Sequence, residues 1–166
     1  STGRWQGRLD FDVYKKVIND LGEFDQPLKV LRLYKEGEPL LHTRFADMVR
    51  YAKASGHVQY IDTTTNGYLL TPDRVGPILD AGIDRINISV DGMSTEQYWQ
   101  FTQTRVDFDS FVDNIRRLHE RKGDCEICVK IPGDILSEAD RQRFFETFGD
   151  IADRVFIDNF APCWPT

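Results

Sequence analysis

The chain is poor in the residues that staple small proteins together. Three cysteines, Cys125, Cys128 and Cys163, are spread unevenly over 166 residues, which is no disulfide framework. A reducing, cytoplasmic setting is therefore expected. The three histidines, His42, His57 and His119, lack the spacing of metal ligands. No apolar run reaches the length of a membrane span, so no membrane partner is expected. Positive charge is in deficit: 21 Lys and Arg against 27 Asp and Glu leave a net charge of −6. That balance argues against a sequence-independent nucleic-acid surface, because nothing basic is left over to neutralise phosphates. No repeat, linker or low-complexity segment stands out. The opening Ser1-Thr2-Gly3-Arg4-Trp5 is neither a signal peptide nor an initiating methionine, and the chain is expected to be a piece of something longer.

What is present is an ordinary globular composition, 40% hydrophobic and 29% charged, in strict helix–strand alternation. Asp10 to Leu21 reads as a helix, with Asp10 as N-cap. Leu28 to Tyr34 reads as a strand, and Thr43 to Ser55 as a helix stopped by Gly56. A strand over Val58 to Thr65 closes at Asn66-Gly67. Thr71-Pro72 opens a third helix, and Arg85 to Val90 is the clearest strand. Ser94 to Gln97 has capping-box spacing. A long helix is expected over Phe108 to Arg121, a strand over Glu126 to Ile131, a helix after Ser137, and a last strand over Arg154 to Asp158. Strands separated by helices imply right-handed crossovers and a parallel sheet. Such a chain should begin on a strand, so a first strand is expected upstream of Ser1.

A strand buried on both faces of a parallel sheet should be apolar throughout. These strands are not. Ile86, Ile88 and Val90 share one face, and Asn87, Ser89 and Asp91 the other. Ile127, Val129 and Ile131 oppose Glu126, Cys128 and Lys130. Val30, Arg32 and Tyr34 oppose Lys29, Leu31 and Leu33. Before Asn66 stand Asp62, Thr63, Thr64 and Thr65. One face fits packing on helices. The other needs water or a ligand, because an unpaired buried polar group costs roughly 1–3 kcal/mol. An open, curved sheet around a polar hollow is expected. At its C-terminal rim, Gly37-Glu38-Pro39 follows the first strand, where parallel sheets place their sites.

Four stretches together carry a family resemblance. Gly37-Glu38-Pro39-Leu40-Leu41 resembles the "GGEP" loop of the radical S-adenosylmethionine family. Thr65-Asn66-Gly67-Tyr68-Leu69-Leu70 resembles its third-strand segment. The run from Gly82 to Asp91, containing Ile88-Ser89-Val90-Asp91, resembles its fourth strand, and Phe111 to Leu118 resembles the helix that follows. The resemblance runs from about Phe11 to Asp158 and points to the SPASM-type branch. It implies an α/β fold, a partial (β/α)6 barrel with its first strand missing here. Residues 1–159 would form the barrel core and 160–166 the start of a C-terminal extension.

The family's CxxxCxxC motif, which holds a 4Fe–4S cluster by three thiolates, is absent, and Glu36 stands where the first glycine of "GGEP" would be. The resemblance implies a parent enzyme that cleaves S-adenosylmethionine to a 5′-deoxyadenosyl radical and abstracts hydrogen from a small-molecule or peptide substrate, with an electron donor as partner. The piece in hand is expected to be inactive, and colourless after anaerobic iron–sulfur reconstitution. Gly37, Glu38 and Pro39 would hold the methionine amino group. Ser89, with Asn66 and Asp91 nearby, would contact its carboxylate or the ribose. Lys130 and Asp158 would point toward substrate, with an acidic neighbour as the alternative partner of Lys130. Cys163 would be a ligand of an auxiliary cluster. Cys125 and Cys128, three apart in or beside a strand, point to opposite faces and read as small buried residues. A non-catalytic domain binding a peptide or nucleoside on the same fold is the second reading. A barrel enzyme for a phosphorylated metabolite ranks last, since no glycine-rich phosphate loop comes late in the chain.

Overall fold

The computed structural model describes residues 7–158. Helix α1 (Phe11–Asp20) starts where Asp10 Oδ1 accepts the amides of Asp12 and Val13 at 2.8 and 3.1 Å. Then come β1 (Leu31–Arg32), α2 (Phe45–Ser55), β2 (Ile61–Thr65), α3 (Pro72–Asp80) and β3 (Arg85–Ser89). The chain continues through α4 (Thr95–Thr102), α5 (Phe108–Arg121), β4 (Glu126–Pro132), α6 (Glu138–Phe148) and β5 (Arg154–Asp158). The polar residue before each of the last three helices caps it: Ser94, Asp107 and Ser137 each accept an amide of the first turn. Gly56 ends α2 at φ +71°, a left-handed conformation that glycine adopts without a steric cost.

The five strands form one parallel sheet in the order β1-β2-β3-β4-β5, as the helix–strand alternation requires. The first strand is shorter than its sequence pattern. Only Leu31 and Arg32 form regular ladder with β2, with an isolated bridge from Leu28 to Val58. The amides of Leu31 and Leu33 bond inward to Tyr60 and Asp62 at 2.8 and 2.9 Å. The outer edge of β1 pairs with no strand among the described residues.

The register confirms the two faces. Ile86, Ile88, Ile127, Val129 and Ile131, all nearly inaccessible, pack with Val49, Ala52, Ile78, Ile115 and Phe144 of the helices. The opposite, concave face carries a row of charged residues in which Arg32 aligns with Asp62, Asp62 with Arg85, and Arg85 with Glu126. Arg154 approaches Glu126 at 3.8 Å. The sign therefore alternates across all five strands, the favourable arrangement for cross-strand neighbours.

Below this face the structure reveals a repeat that the sequence pattern did not expose. Asp84, just before β3, accepts the first amide of β2, Ile61, at 2.6 Å and pairs with Lys53 from α2 at 2.6 Å. Asp153, just before β5, accepts the amide of the second residue of β4, Ile127, at 2.8 Å and pairs with Lys122, just past the end of α5, at 3.0 Å. Each aspartate is followed by arginine, a branched apolar residue, and isoleucine two further on: Asp84-Arg85-Ile86-Asn87-Ile88 and Asp153-Arg154-Val155-Phe156-Ile157. Each clasp ties the start of a strand to its predecessor and to the helix before that.

The second clasp titrates. Burial opposes ionisation of Asp153, but the Ile127 amide and Lys122 outweigh it and hold the carboxyl below its ordinary value. A lowered folded-state pKa contributes stability that is present above the ordinary carboxylate range and disappears as pH falls through the lowered value. Asp153→Asn should therefore cost about 1 kcal/mol at neutral pH, and the difference should vanish in acid. Urea unfolding of both proteins between pH 2 and 7 checks this; a gap that does not change with pH would rule it out.

Candidate functional site

The loop after β1 meets the C-terminal end of β2 at Glu38. Its carboxylate is the hub of the loop rather than a free group. Oε1 accepts the Leu40 amide at 2.9 Å and the Thr65 hydroxyl at 2.8 Å, and Oε2 accepts the Asn66 amide at 2.8 Å. A carboxylate at a strand end reads as a ligand contact in sequence. Here all three bonds go to the protein itself, so the Glu38 side chain positions the loop. Pro39 opens a short 3-10 turn, Pro39–Leu41, that Glu38 caps. Gly37 sits at φ +81° with nothing within 4 Å of where a Cβ would stand, so its backbone faces open space.

Asn66 turns its side chain back as well, with Oδ1 accepting the Tyr68 amide at 3.2 Å. Gly67, at φ +79°, lies directly under Phe111 and Ile88. Ser89 is half-buried on the concave face beside Lys130 in register, and its hydroxyl makes no hydrogen bond among the described residues. Asp91 is pulled toward the helices: Oδ2 accepts the Tyr68 hydroxyl at 3.4 Å, and its amide bonds the Tyr98 hydroxyl at 3.2 Å. Burial raises its carboxyl above the ordinary value. Lys130 and Asp158 come together at 2.8 Å, the acidic partner that the sequence left open. A cavity of about 740 Å³ opens along the outer side of β1, with Gly37, Glu38, Pro39, Tyr34 and Met48 in its wall.

The cysteines behave as small buried residues. Cys125 belongs to the apolar core, and burial pushes its thiol up to about 12. Cys128 pairs in register with Asn87 on the concave face, and burial raises its thiol too. Both are free. Cys163 lies outside the described residues, as does the 160–166 extension. Among the described residues no three His, Cys, Asp or Glu side chains gather as metal ligands. They therefore do not fit a 4Fe–4S cluster, which takes three or four thiolates. The strand-end loops, with an open glycine backbone and the unengaged Ser89 hydroxyl, do fit a polar ligand such as a nucleoside.

Sequence reasoning passed over Asp62 as one member of a polar run. It is 4% exposed, and one of its carboxylate oxygens has no hydrogen-bond partner among the described residues. The available signal was an acidic residue in mid-strand, where such residues are depleted.

No described helix is long and apolar enough to cross a membrane. Comparison with known proteins agrees with the fold. The chain is 35% identical over 92 residues to the tungsten-containing aldehyde ferredoxin oxidoreductase cofactor-modifying protein of Pyrococcus furiosus, covering 55% of this chain and 25% of that one. It is 40% identical over 68 residues to the GTP 3′,8-cyclase of Chlorobaculum tepidum, covering 40% of this chain and 20% of that one. The chain thus spans a quarter or less of the length of these curated relatives. Its fold matches Streptococcus suis SuiB bound to S-adenosylmethionine with a TM-score of 0.71 at 12% identity, over 96% of this chain and 36% of that one. The profile of the Radical SAM superfamily matches residues 2–147, and the chain belongs to that superfamily.

Proposed function

We propose that this chain holds S-adenosylmethionine and a substrate side by side in its hollow, as the barrel of a radical S-adenosylmethionine enzyme. The observation that carries this reading is the Glu38 hub, which fixes the Gly37–Pro39 backbone against Asn66 at the rim of the sheet. Superfamily members use S-adenosylmethionine and a 4Fe–4S cluster. The cluster, fed by an electron donor, supplies the reducing chemistry, and its ligands would come from elsewhere in the parent polypeptide. The backbone of Gly37, Glu38 and Pro39 would receive the methionine amino group, with the Glu38 carboxylate setting its position. Ser89 would donate to the methionine carboxylate or the ribose, and Asn66 and Asp91 would shape the rim from behind. The Lys130–Asp158 pair would border substrate space and help keep water out.

A first strand in the parent, pairing with the open edge of β1, is part of the same proposal. The exposed apolar residues Val13 and Val17 of α1 and Val30 beside β1 support it, since they are surface that such a unit would cover. An auxiliary-cluster branch, with Cys163 as a ligand, and a reducing, cytoplasmic location complete the reading. Titration of the chain with S-adenosylmethionine, followed by two-dimensional amide spectra, tests the site. Shifts should group at Gly37, Asn66 and Ser89, and Ser89→Ala should weaken binding several-fold. Shifts grouped elsewhere, or none at millimolar ligand, would reject it.

A further inference from the structure

The carboxylates of the concave face are matched by donors, with one exception. Glu126 accepts Arg85 at 2.6 Å and the Tyr60 hydroxyl at 3.4 Å, with Arg154 at 3.8 Å. Asp158 has Lys130 at 2.8 Å. Asp62 has no hydrogen-bonding partner among the described residues: its side chain is 6% exposed, Oδ1 is unmatched, and Oδ2 has only a loose ion pair with Arg32 Nε at 3.7 Å, beyond hydrogen-bond length. Leaving a buried acceptor unmade costs stability, and native structures do so mostly where a ligand or water completes the set.

The neighbours define what would complete this one. Arg32 and Arg85 flank Asp62 in register, so a second cation would be repelled and a neutral N–H donor fits better. Arg32 is 66% exposed on its side chain and makes no hydrogen bond among the described residues, so its guanidinium can swing aside and then donate to an acceptor next to that donor. An acceptor beside a free donor is complementary to an amide-type edge, an N–H adjacent to a C=O. Peptide groups, carboxamides and the lactam edge of a nucleobase all present one. Above Asp62 the same face continues with Thr64 and Asn87, aligned in register. Thr64 makes no side-chain hydrogen bond among the described residues, and Asn87 spends its NH₂ on the Thr63 carbonyl at 3.0 Å.

We infer that Asp62 and Arg32 form a substrate subsite on the concave face that reads an amide-type edge. As a substrate subsite it rests on the proposed function; as an amide-binding site it stands alone. In the free protein the subsite is unfinished, and its specificity comes from an acceptor that rejects any ligand unable to supply the N–H.

The test uses the full chain, labelled with ¹⁵N, and three probes: N-acetylglycinamide for a peptide source, inosine for a nucleobase source, and glucose as a hydroxyl-only control. The amide edge should shift the amides of Asp62, Thr64 and Asn87, while glucose should not. Asp62→Leu should weaken that binding about tenfold, the loss of about 1.4 kcal/mol, and should move the thermal midpoint little, since the removal of an unsatisfied acceptor offsets the lost charge alternation with Arg32 and Arg85. Arg32→Leu, on an exposed side chain, should weaken it similarly and guards against misfolding of the first variant. Response to one amide probe alone names the source. Response to neither, equal response to glucose, or affinities unchanged in both variants would overturn the inference. S-adenosylmethionine added to the same sample reports separately at Gly37 and Ser89. Its failure to bind, with amide binding intact, counts against the proposed function alone.

Discussion

Glu38→Ala should lower the stability of this chain by about 3 kcal/mol, because one carboxylate satisfies three donors at a strand end. Leu40 and Asn66 would lose an amide partner, and the Thr65 hydroxyl, on a residue 1% exposed, would lose its acceptor. At this chain length that is roughly a 6–12 °C drop in thermal midpoint. The diagnostic variant is Glu38→Gln. All three partners donate: two to Oε1 and one to Oε2. A carboxamide has one oxygen, so its NH₂ must face an N–H or O–H in either orientation. Glutamine should therefore recover only part of the loss, and hydrogen exchange should locate the rest at Asn66 or at Leu40. Full rescue by glutamine would mean that the hub is not held by these donors. The same variants carry a functional consequence. If Glu38 positions the loop, Glu38→Gln should reduce S-adenosylmethionine binding in proportion to the lost order at Asn66. A direct ligand contact would instead lose affinity with the loop unchanged.

Gly67→Ala should be comparably damaging for a different reason. The position has φ +79°, and an added Cβ would stand 2.6 Å from Phe111 Cε2 and 3.1 Å from Ile88 Cγ2. Phe111 is 4% exposed and packs against Tyr68, Tyr98 and Phe108, so it has nowhere to go. Left-handed strain of about 1–2 kcal/mol adds to overpacking of about 1–3 kcal/mol, for a total of about 3 kcal/mol. Gly37→Ala is the internal control. It carries the same sign of φ, +81°, with no atom near the new methyl, and should cost only the strain, about 1–2 kcal/mol. Equal losses at the two glycines, by denaturant unfolding, would show that the Phe111 contact relaxes freely.

Much of this architecture was readable in the alternation of side chains. Asn87 and Ser89 against Ile86 and Ile88 announced a sheet with one polar face, and the capping residues Asp10, Ser94 and Ser137 announced where helices begin. The four loop, strand and helix segments announced the family. What escaped was set by distance along the chain. Two of the three partners of Glu38 stand 27 and 28 residues away, so its sequence neighbourhood could mark the residue but not its task. β1 keeps only two residues of its expected length while β5, equally an edge strand, keeps all of its own, a difference that periodicity does not register. Lys130 and Asp158 were each legible as concave-face residues, yet their mutual pairing needed the β4–β5 register. The twin clasps were the opposite case. The Asp-Arg signature was in plain view, but only the shared acceptance of an Ile amide gives it meaning.

Those clasps bear on how the polypeptide is made. Each strand lies beside the one translated just before it, and each clasp closes a span of only 23 or 26 residues. Nothing in the sheet waits for a distant partner, so the entropy of closing large loops does not delay assembly. A ribosome could release this barrel wall one crossover at a time. Asp84 would lock β2 as soon as β3 begins to emerge, and Asp153 would lock β4 in the same way with β5. Apart from the outer edge of β1, the growing edge would then be the unfinished side of the described sheet at any moment, which narrows the opportunity for misassembly.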